Sequence, residues 1–219
     1  MAAFTFVRNR KMVYIHHFLW FCLVMAGLKS FLYGVADILG TTGAALYERQ
    51  RALVNLKVLT PVAGRGPGSG VPLTPYNVAA VAISVLATDN LTEVDDRVVD
   101  LINAPPRLAR NERGRAIWGR AGSPTFCTAV GAVLAGTALP WPIKLKKPIY
   151  AIRVTRCWRG ALLENPEEEE NFADYLVEKV GKRFSPIIVE ADIRAATLAH
   201  LLTFTQGAFS QAAAEEDDE

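Results

Sequence analysis

The residues best suited to binding chemistry lie between positions 41 and 51. They combine hydroxyl groups, a small first helical turn, a phenol and positive charge: Thr41, Thr42, Ala44, Tyr47, Arg49 and Arg51. An arginine donates paired hydrogen bonds to a guanine edge or to a phosphate, and a tyrosine donates to a phosphate or packs against a base. This set of side chains therefore predicts recognition of double-stranded DNA.

Two other segments add positive charge. Arg65 and Ser69 lie in AGRGPGSG, residues 63–70, where the glycines permit close approach to a phosphate or to the minor groove. Arg113 and Arg115 lie in RLARNERGRAIWGRAG, residues 107–122, in which five arginines face one glutamate. This second run suits phosphate binding, and a solvated linker is an equally good interpretation.

The apolar spacing around the first set predicts two helices. Apolar residues recur at intervals of three and four over residues 31–39, and Gly40 then ends the first helix. Thr41 and Thr42 are suited to cap a second helix from Gly43 to Leu56, which carries a leucine stripe at 46, 53 and 56. A short helix, a tight turn and a longer helix make a helix-turn-helix, with the candidate contacts on the second helix.

A hairpin is expected next. Residues 58–62 read as a strand, residues 63–70 as a flexible tip and residues 71–74 as the returning strand. Thr74 and Pro75 then suit the N-cap and first position of a helix that runs to about Leu86. Two helices followed by a hairpin are typical of a winged helix-turn-helix.

The stretch VADILGTTGAALYERQRALVNLKVLTPVAGRGPGSGVPLTP resembles the DNA-binding module of MarR and MerR transcription regulators. The likeness covers about a quarter of the chain and rests on these positions: Leu39, Gly40, Leu46, Tyr47, Arg51, Leu53, Val58, Leu59, Leu73, Thr74 and Pro75. It implies a winged module that binds DNA. The dimerisation helices of both families have no counterpart, so the resemblance implies nothing about ligand or dimer geometry.

The expected fold class is α+β, an N-terminal winged helix-turn-helix followed by a small α+β domain. The predicted divisions are a doubtful extension (1–24), the winged domain (25–104), a basic linker (105–123), the α+β domain (124–210) and a disordered acidic tail (211–219). Within them we expect a helix over 91–103, a helix over 126–139, strands over 149–163 and 186–193, and a last helix over 195–205. Residues 172–184 suit a helix or an exposed strand.

Composition disfavours several other functions. The chain of 219 residues has three cysteines without a CxxC spacing, so neither a disulfide framework nor a zinc site is indicated. No GxSxG or HExxH motif occurs, and His200 is expected in the core of an apolar helix. The glycine-rich segment lacks the Lys-Ser/Thr of a nucleotide-binding loop. We therefore expect no catalytic activity, metal or cofactor.

Residues 12–28, MVYIHHFLWFCLVMAGL, leave three interpretations open. The apolar run follows basic residues as in a signal sequence or membrane anchor, but it is shorter than the ~20 residues that a span requires. Translation could instead start at Met25, or the segment could pack as a helix on the body of the protein. Without an anchor, no membrane association is expected.

These observations predict a cytoplasmic transcription regulator of a bacterium or phage that binds a specific DNA site as a dimer. The second domain would serve dimerisation, effector binding or contact with RNA polymerase or a regulatory protein. The alternatives are a DNA-packaging or assembly component that uses the helix-turn-helix as a clamp or oligomer contact, and a membrane-anchored sensor.

Overall fold

The computed structural model describes residues 27–64, 70–110, 116–118, 124–137, 151–156, 160–164, 172–176 and 190–216. This part of the chain is mixed α+β. Its helices are α1 (Leu28–Val35), α2 (Gly43–Asn55), α3 (Pro75–Ala87), α4 (Asp96–Ile102), α5 (Phe126–Leu134) and α6 (Ala195–Glu216), with a 3-10 turn at Leu91–Glu93. Its strands are β1 (Arg107–Arg110), β2 (Ala116–Trp118), β3 (Ala151–Thr155), β4 (Gly160–Glu164), β5 (Phe172–Leu176) and β6 (Glu190–Ile193).

The strands form two antiparallel sheets. β1 pairs with β2, and the larger sheet has the order β5-β4-β3-β6. In the larger sheet Thr155 lies opposite Gly160, so β3 and β4 are the two arms of a hairpin. Residues 149–163, predicted as one strand, therefore contain two.

The first two helices lie where the sequence predicts them, although α1 is shifted toward the N-terminus. Regular helix ends at Val35, and a hydrogen-bonded turn continues to Gly40, which adopts a left-handed conformation with φ of 64°. The Thr41 and Gly40 amides donate to the Ala36 and Asp37 carbonyls at 3.0 and 3.2 Å, the bond pattern of a glycine-ended helix. The predicted helix α2 is confirmed to within one residue.

Residues 56–75 match the expected hairpin only in part. Val62 and Gly70 exchange backbone hydrogen bonds of 2.8 and 3.0 Å as an isolated antiparallel bridge. The expected returning strand after Gly70 is absent from the described residues, and the Val71 carbonyl instead accepts a 3.1 Å bond from the Leu28 amide at the start of α1. Helix α3 begins at Pro75 with Thr74 as its N-cap, as predicted.

Helix α3 is the centre of the fold. It is apolar on nearly every side and buried over most of its length, with α5 packed closely across its first turn. A Cβ atom at Gly131 would stand 3.2 Å from the Pro75 carbonyl, so only glycine permits this approach without a shift. The thiol of Cys127 donates to the Tyr76 carbonyl at 3.5 Å in the same contact.

One hydrophobic cluster includes residues from both predicted domains. Phe31 of α1 packs edge-on against Phe204 of α6 with ring centroids 5.4 Å apart. On α6, Thr205 donates from its hydroxyl to the Leu134 carbonyl of α5 at 2.9 Å. The division at about residue 104 stays a prediction from the sequence, and the apolar packing is continuous across it.

Several other expectations require correction. Part of the predicted basic linker forms β1 and β2, and Asp95 caps α4 so that regular helix begins at Asp96 instead of residue 91. Helix α6 continues to Glu216 through residues expected in a disordered tail, because alanine, glutamine and glutamate are strong helix formers. His200, expected in the core, is exposed on α6.

No helix in the described ranges has both the length and the apolar character needed to cross a membrane. The candidate anchor at residues 12–28 lies almost wholly outside those ranges.

Candidate nucleic-acid interface

Helix α2 has one buried and one exposed face. The buried face carries Leu46, Arg49, Gln50 and Leu53, all within the protein interior. The exposed residues recur at three and four on the opposite side: Ala44, Glu48, Arg51 and Asn55. The helical period therefore gathers a short row of side chains that meets solvent.

The start of α2 is fixed by its cap and by a close contact. Thr42 is the N-cap, and its hydroxyl accepts a 3.2 Å hydrogen bond from the Ala45 amide. Gly43 lies directly against the Tyr33 ring, where a Cβ atom would come within 2.3 Å of Cδ1. Thr41 is half-buried and Ala44 is exposed. The Thr42 hydroxyl is thus engaged in capping, whereas Ala44 faces outward.

Arg51 is exposed and already has an ionic partner. Its Nη1 donates to both carboxylate oxygens of Glu48, at 3.0 and 3.1 Å, and the Arg51 side chain is 62% exposed. Exposed ion pairs of this kind contribute little stability, because water and salt screen them. Arg51 and Glu48 can therefore exchange each other for an external partner at small cost.

Tyr47 lies beside this row and is covered by a lysine from α1. The Lys29 ammonium is 4.6 Å from the centre of the Tyr47 ring, within the range of a cation–π contact. Lys57 follows the other end of α2 and is exposed. A positive charge therefore lies beside Tyr47 of α2, and another lies just beyond the carboxyl end of the helix.

Lys57 also adopts an uncommon backbone conformation. Its φ is 60°, and the Lys57 and Val58 amides donate to the Val54 and Leu53 carbonyls at 3.0 and 2.9 Å. This is the helix-ending position that glycine normally occupies, because a Cβ atom disfavours the left-handed region. The chain holds a lysine there against the backbone preference.

Arg49, predicted to contact DNA, lies instead in the protein interior, where the residue is only 5% exposed. Nη1 donates to the Ser84 carbonyl at 2.6 Å, and Nη2 donates to the Thr88 and Asp89 carbonyls at 2.8 and 3.3 Å. Burial lowers the pKa of Arg49 from its ordinary value, and the nearby Asp89 partly opposes that effect. Arg49 joins α2 to the carboxyl end of α3, where positive charge complements the helix dipole.

A second arginine reaches the same helix end from the sheet. Arg156, directly after β3, donates from Nε to the Leu86 carbonyl at 2.8 Å and from Nη2 to the Asp89 carboxylate at 2.8 Å. The hydrogen bonds from Arg156 hold the pKa of Asp89 below its usual value. Arg49 and Arg156 thus fix α2 and the sheet to one end of α3.

The remaining predicted contacts fall outside the described residues. They are Arg65, Ser69, Arg113 and Arg115. Two residues of the candidate interface, Lys29 and Lys57, were not among the predicted contacts. A lysine at the end of α2, where glycine is usual, could have drawn attention to Lys57 in the sequence. The Lys29–Tyr47 contact depends on how α1 and α2 pack, which the sequence does not show.

Comparison of the chain with protein-family models, curated proteins and solved structures finds no match. The resemblance to MarR and MerR regulators therefore stays a prediction. Within the described part of the chain, no group of three histidine, cysteine or acidic side chains is placed to hold a metal ion. Cys127 is a buried free thiol, and burial raises its pKa above the ordinary value.

Proposed function

We propose that the protein is a sequence-specific regulator of transcription that binds double-stranded DNA through the exposed face of α2. The observation that supports this most directly is the outward row of Ala44, Glu48 and Arg51, flanked by Lys29 and Lys57. An α-helix fits the major groove, and these side chains are of the types that contact base edges there.

The Glu48–Arg51 pair suggests how bases are read. Arg51 would leave Glu48 to donate to O6 and N7 of a guanine, and Glu48 would accept from the amino group of a cytosine. The exchange is inexpensive, because ion pairs at i,i+3 or i,i+4 on a helix contribute only about 0.2–0.5 kcal/mol. Ala44, near the start of the helix, suits contact with a thymine methyl group.

The flanking lysines would supply affinity. Lys29 and Lys57, both exposed, would neutralise phosphates beside the groove, which would make binding salt-dependent. The segment bridged by Val62 and Gly70 would act as a wing, with Arg65 reaching the backbone or the minor groove. Lysine contacts with phosphate would not select a sequence.

The test is a fluorescence titration of the full chain against random duplexes and against duplexes enriched from a random library, across a range of salt. Arg51→Ala is expected to weaken binding to the enriched site by about 1–3 kcal/mol and to change random duplexes little. Arg194→Ala is the matched control. Like Arg51, Arg194 is exposed and pairs with a nearby acidic side chain, Asp192 at 2.9 Å, but it lies outside α2.

Failure to bind any duplex at low salt would refute the proposal. Salt-dependent binding without a preferred sequence, together with a ring of many subunits in light scattering, would favour the DNA-packaging alternative. A homodimer on a palindromic site would favour the regulator. We place such a regulator in the bacterial cytoplasm, where its DNA would be.

A further inference from the structure

A cleft of about 270 Å³, lined about equally by polar and apolar atoms, lies beside the carboxyl end of α3. We call it the Arg97 cleft. Two guanidinium groups and two carboxylates line it, together with apolar side chains: Arg97, Arg156, Asp89, Glu93, Ala87 and Leu101. Its volume suits a ligand smaller than most cofactors.

Three charged groups of the Arg97 cleft, Arg97, Glu93 and Asp89, are paired and remain open to water, whereas the Arg156 side chain is only 20% exposed. Arg97 donates from Nε to Asp95 at 3.0 Å and approaches Glu93 with Nη2 at 3.4 Å, and the side chains of Arg97 and Glu93 are 46% and 48% exposed. Asp89 is more exposed still, and it accepts from Arg156. The exposed pairs of Arg97 exchange partners readily, because solvent screens them. Arg156 stays fixed by its bond to the Leu86 carbonyl.

We propose that the Arg97 cleft binds a free amino acid. The ligand carboxylate would pair with Arg97, its ammonium group would pair with Asp89 or Glu93, and an apolar side chain would cover Ala87 and Leu101. A zwitterion matches this arrangement because both signs of charge and an apolar surface occur within one small volume. A simple anion would take Arg97 from Glu93 and give Glu93 no new partner, whereas the ammonium group of an amino acid supplies one.

The cleft adjoins the residues that hold α2. The Thr88 hydroxyl donates to Glu93 at 3.1 Å, while the Thr88 and Asp89 carbonyls accept from Arg49 at 2.8 and 3.3 Å. A ligand that draws Glu93 or Asp89 toward itself would shift these carbonyls and therefore α2. An amino acid in the cleft thus regulates DNA affinity. This regulatory half rests on the proposed function, whereas the ligand site does not.

Binding is tested by thermal shift of the full chain with each proteinogenic L-amino acid, followed by calorimetry of those that raise the Tm. At least one is expected to bind, and Arg97→Gln is expected to weaken it about tenfold or more, the usual effect of losing a hydrogen bond to a charged group. Arg194→Gln is the control and should bind normally. Circular dichroism confirms that both variants fold.

The ligand site is disproved if no amino acid binds or if Arg97→Gln binds equally well. The regulatory half is tested by measuring DNA affinity with and without saturating ligand, and an unchanged affinity overturns it. The calorimetry is done without DNA, so a positive ligand result stays valid even if the protein does not bind DNA. A positive DNA-binding result likewise stays valid if no amino acid binds.

Discussion

The two faces of α2 each carry one arginine, of which Arg49 is buried and Arg51 is exposed. Arg49 is enclosed and donates to three backbone carbonyls near the end of α3, whereas Arg51 meets solvent and pairs with its neighbour Glu48. They are two positions apart, which places them about 200° apart around the helix. The side of the helix on which an arginine lies therefore decides whether it holds the fold together or is available to a ligand.

The strongest test of this contrast is Arg49→Met, which keeps the bulk of the side chain and removes its donors. We expect a loss of about 3 kcal/mol in the free energy of unfolding, because the buried Ser84 and Thr88 carbonyls lose charged partners. Urea denaturation followed by circular dichroism measures the change.

Arg51→Met is the matched control on the exposed face. It should change the free energy of unfolding by less than about 0.5 kcal/mol, as is usual for a surface substitution. Equal losses for the two variants would contradict the division between the faces.

The capping hydroxyl at the start of α2 gives the next effect. Thr42→Ala removes the acceptor of the Ala45 amide, and we expect a loss of about 1 kcal/mol in the free energy of unfolding. Thr41→Ala, one residue outside the cap, should cost less than about 0.5 kcal/mol. If Thr41→Ala were the more costly of the two, the cap would be wrongly assigned. Thermal and urea denaturation report both values.

The smallest effect is a gain. Lys57→Gly relieves the left-handed backbone at the end of α2 and should stabilise the protein by about 0.5–1 kcal/mol. The same change should weaken DNA binding and flatten its salt dependence, because one phosphate partner is lost. Stability and affinity would then move in opposite directions, as expected of a residue retained for binding.

Asn55→Gly is the comparison for Lys57→Gly, because Asn55 has a regular helical backbone in the same helix. It should destabilise the protein by a few tenths of a kcal/mol, about the propensity difference between the two residues. A loss of stability in both variants would remove the argument that Lys57 is strained.

Local signals predicted the elements that carry the candidate site. Helix boundaries were predicted from single residues with capping or turn preferences: Gly40, Thr42, Thr74 and Pro75. Neighbouring residues therefore suffice to place α2 and α3. The burial of Arg49 could also have been predicted, because position 49 lies between Leu46 and Leu53 on the apolar side of the helix. A charged side chain is instead expected at the surface.

Other features depended on contacts between distant residues. The Arg156 bond to Leu86 spans 70 positions, and no spacing rule connects the two. The short pairing of β1 with β2 lacks a strong apolar alternation, since arginine occupies both ends of β1.

The edge-on contact between Phe31 and Phe204 has a consequence for the order of events during synthesis. The ribosome completes α1 and α2 long before α6 exists, so Phe31 leaves the exit tunnel without the ring that later packs against it. Long-range contacts of this kind form late. The first helix, and α2 that packs beside it, therefore gain their full apolar support only after α6 has been made.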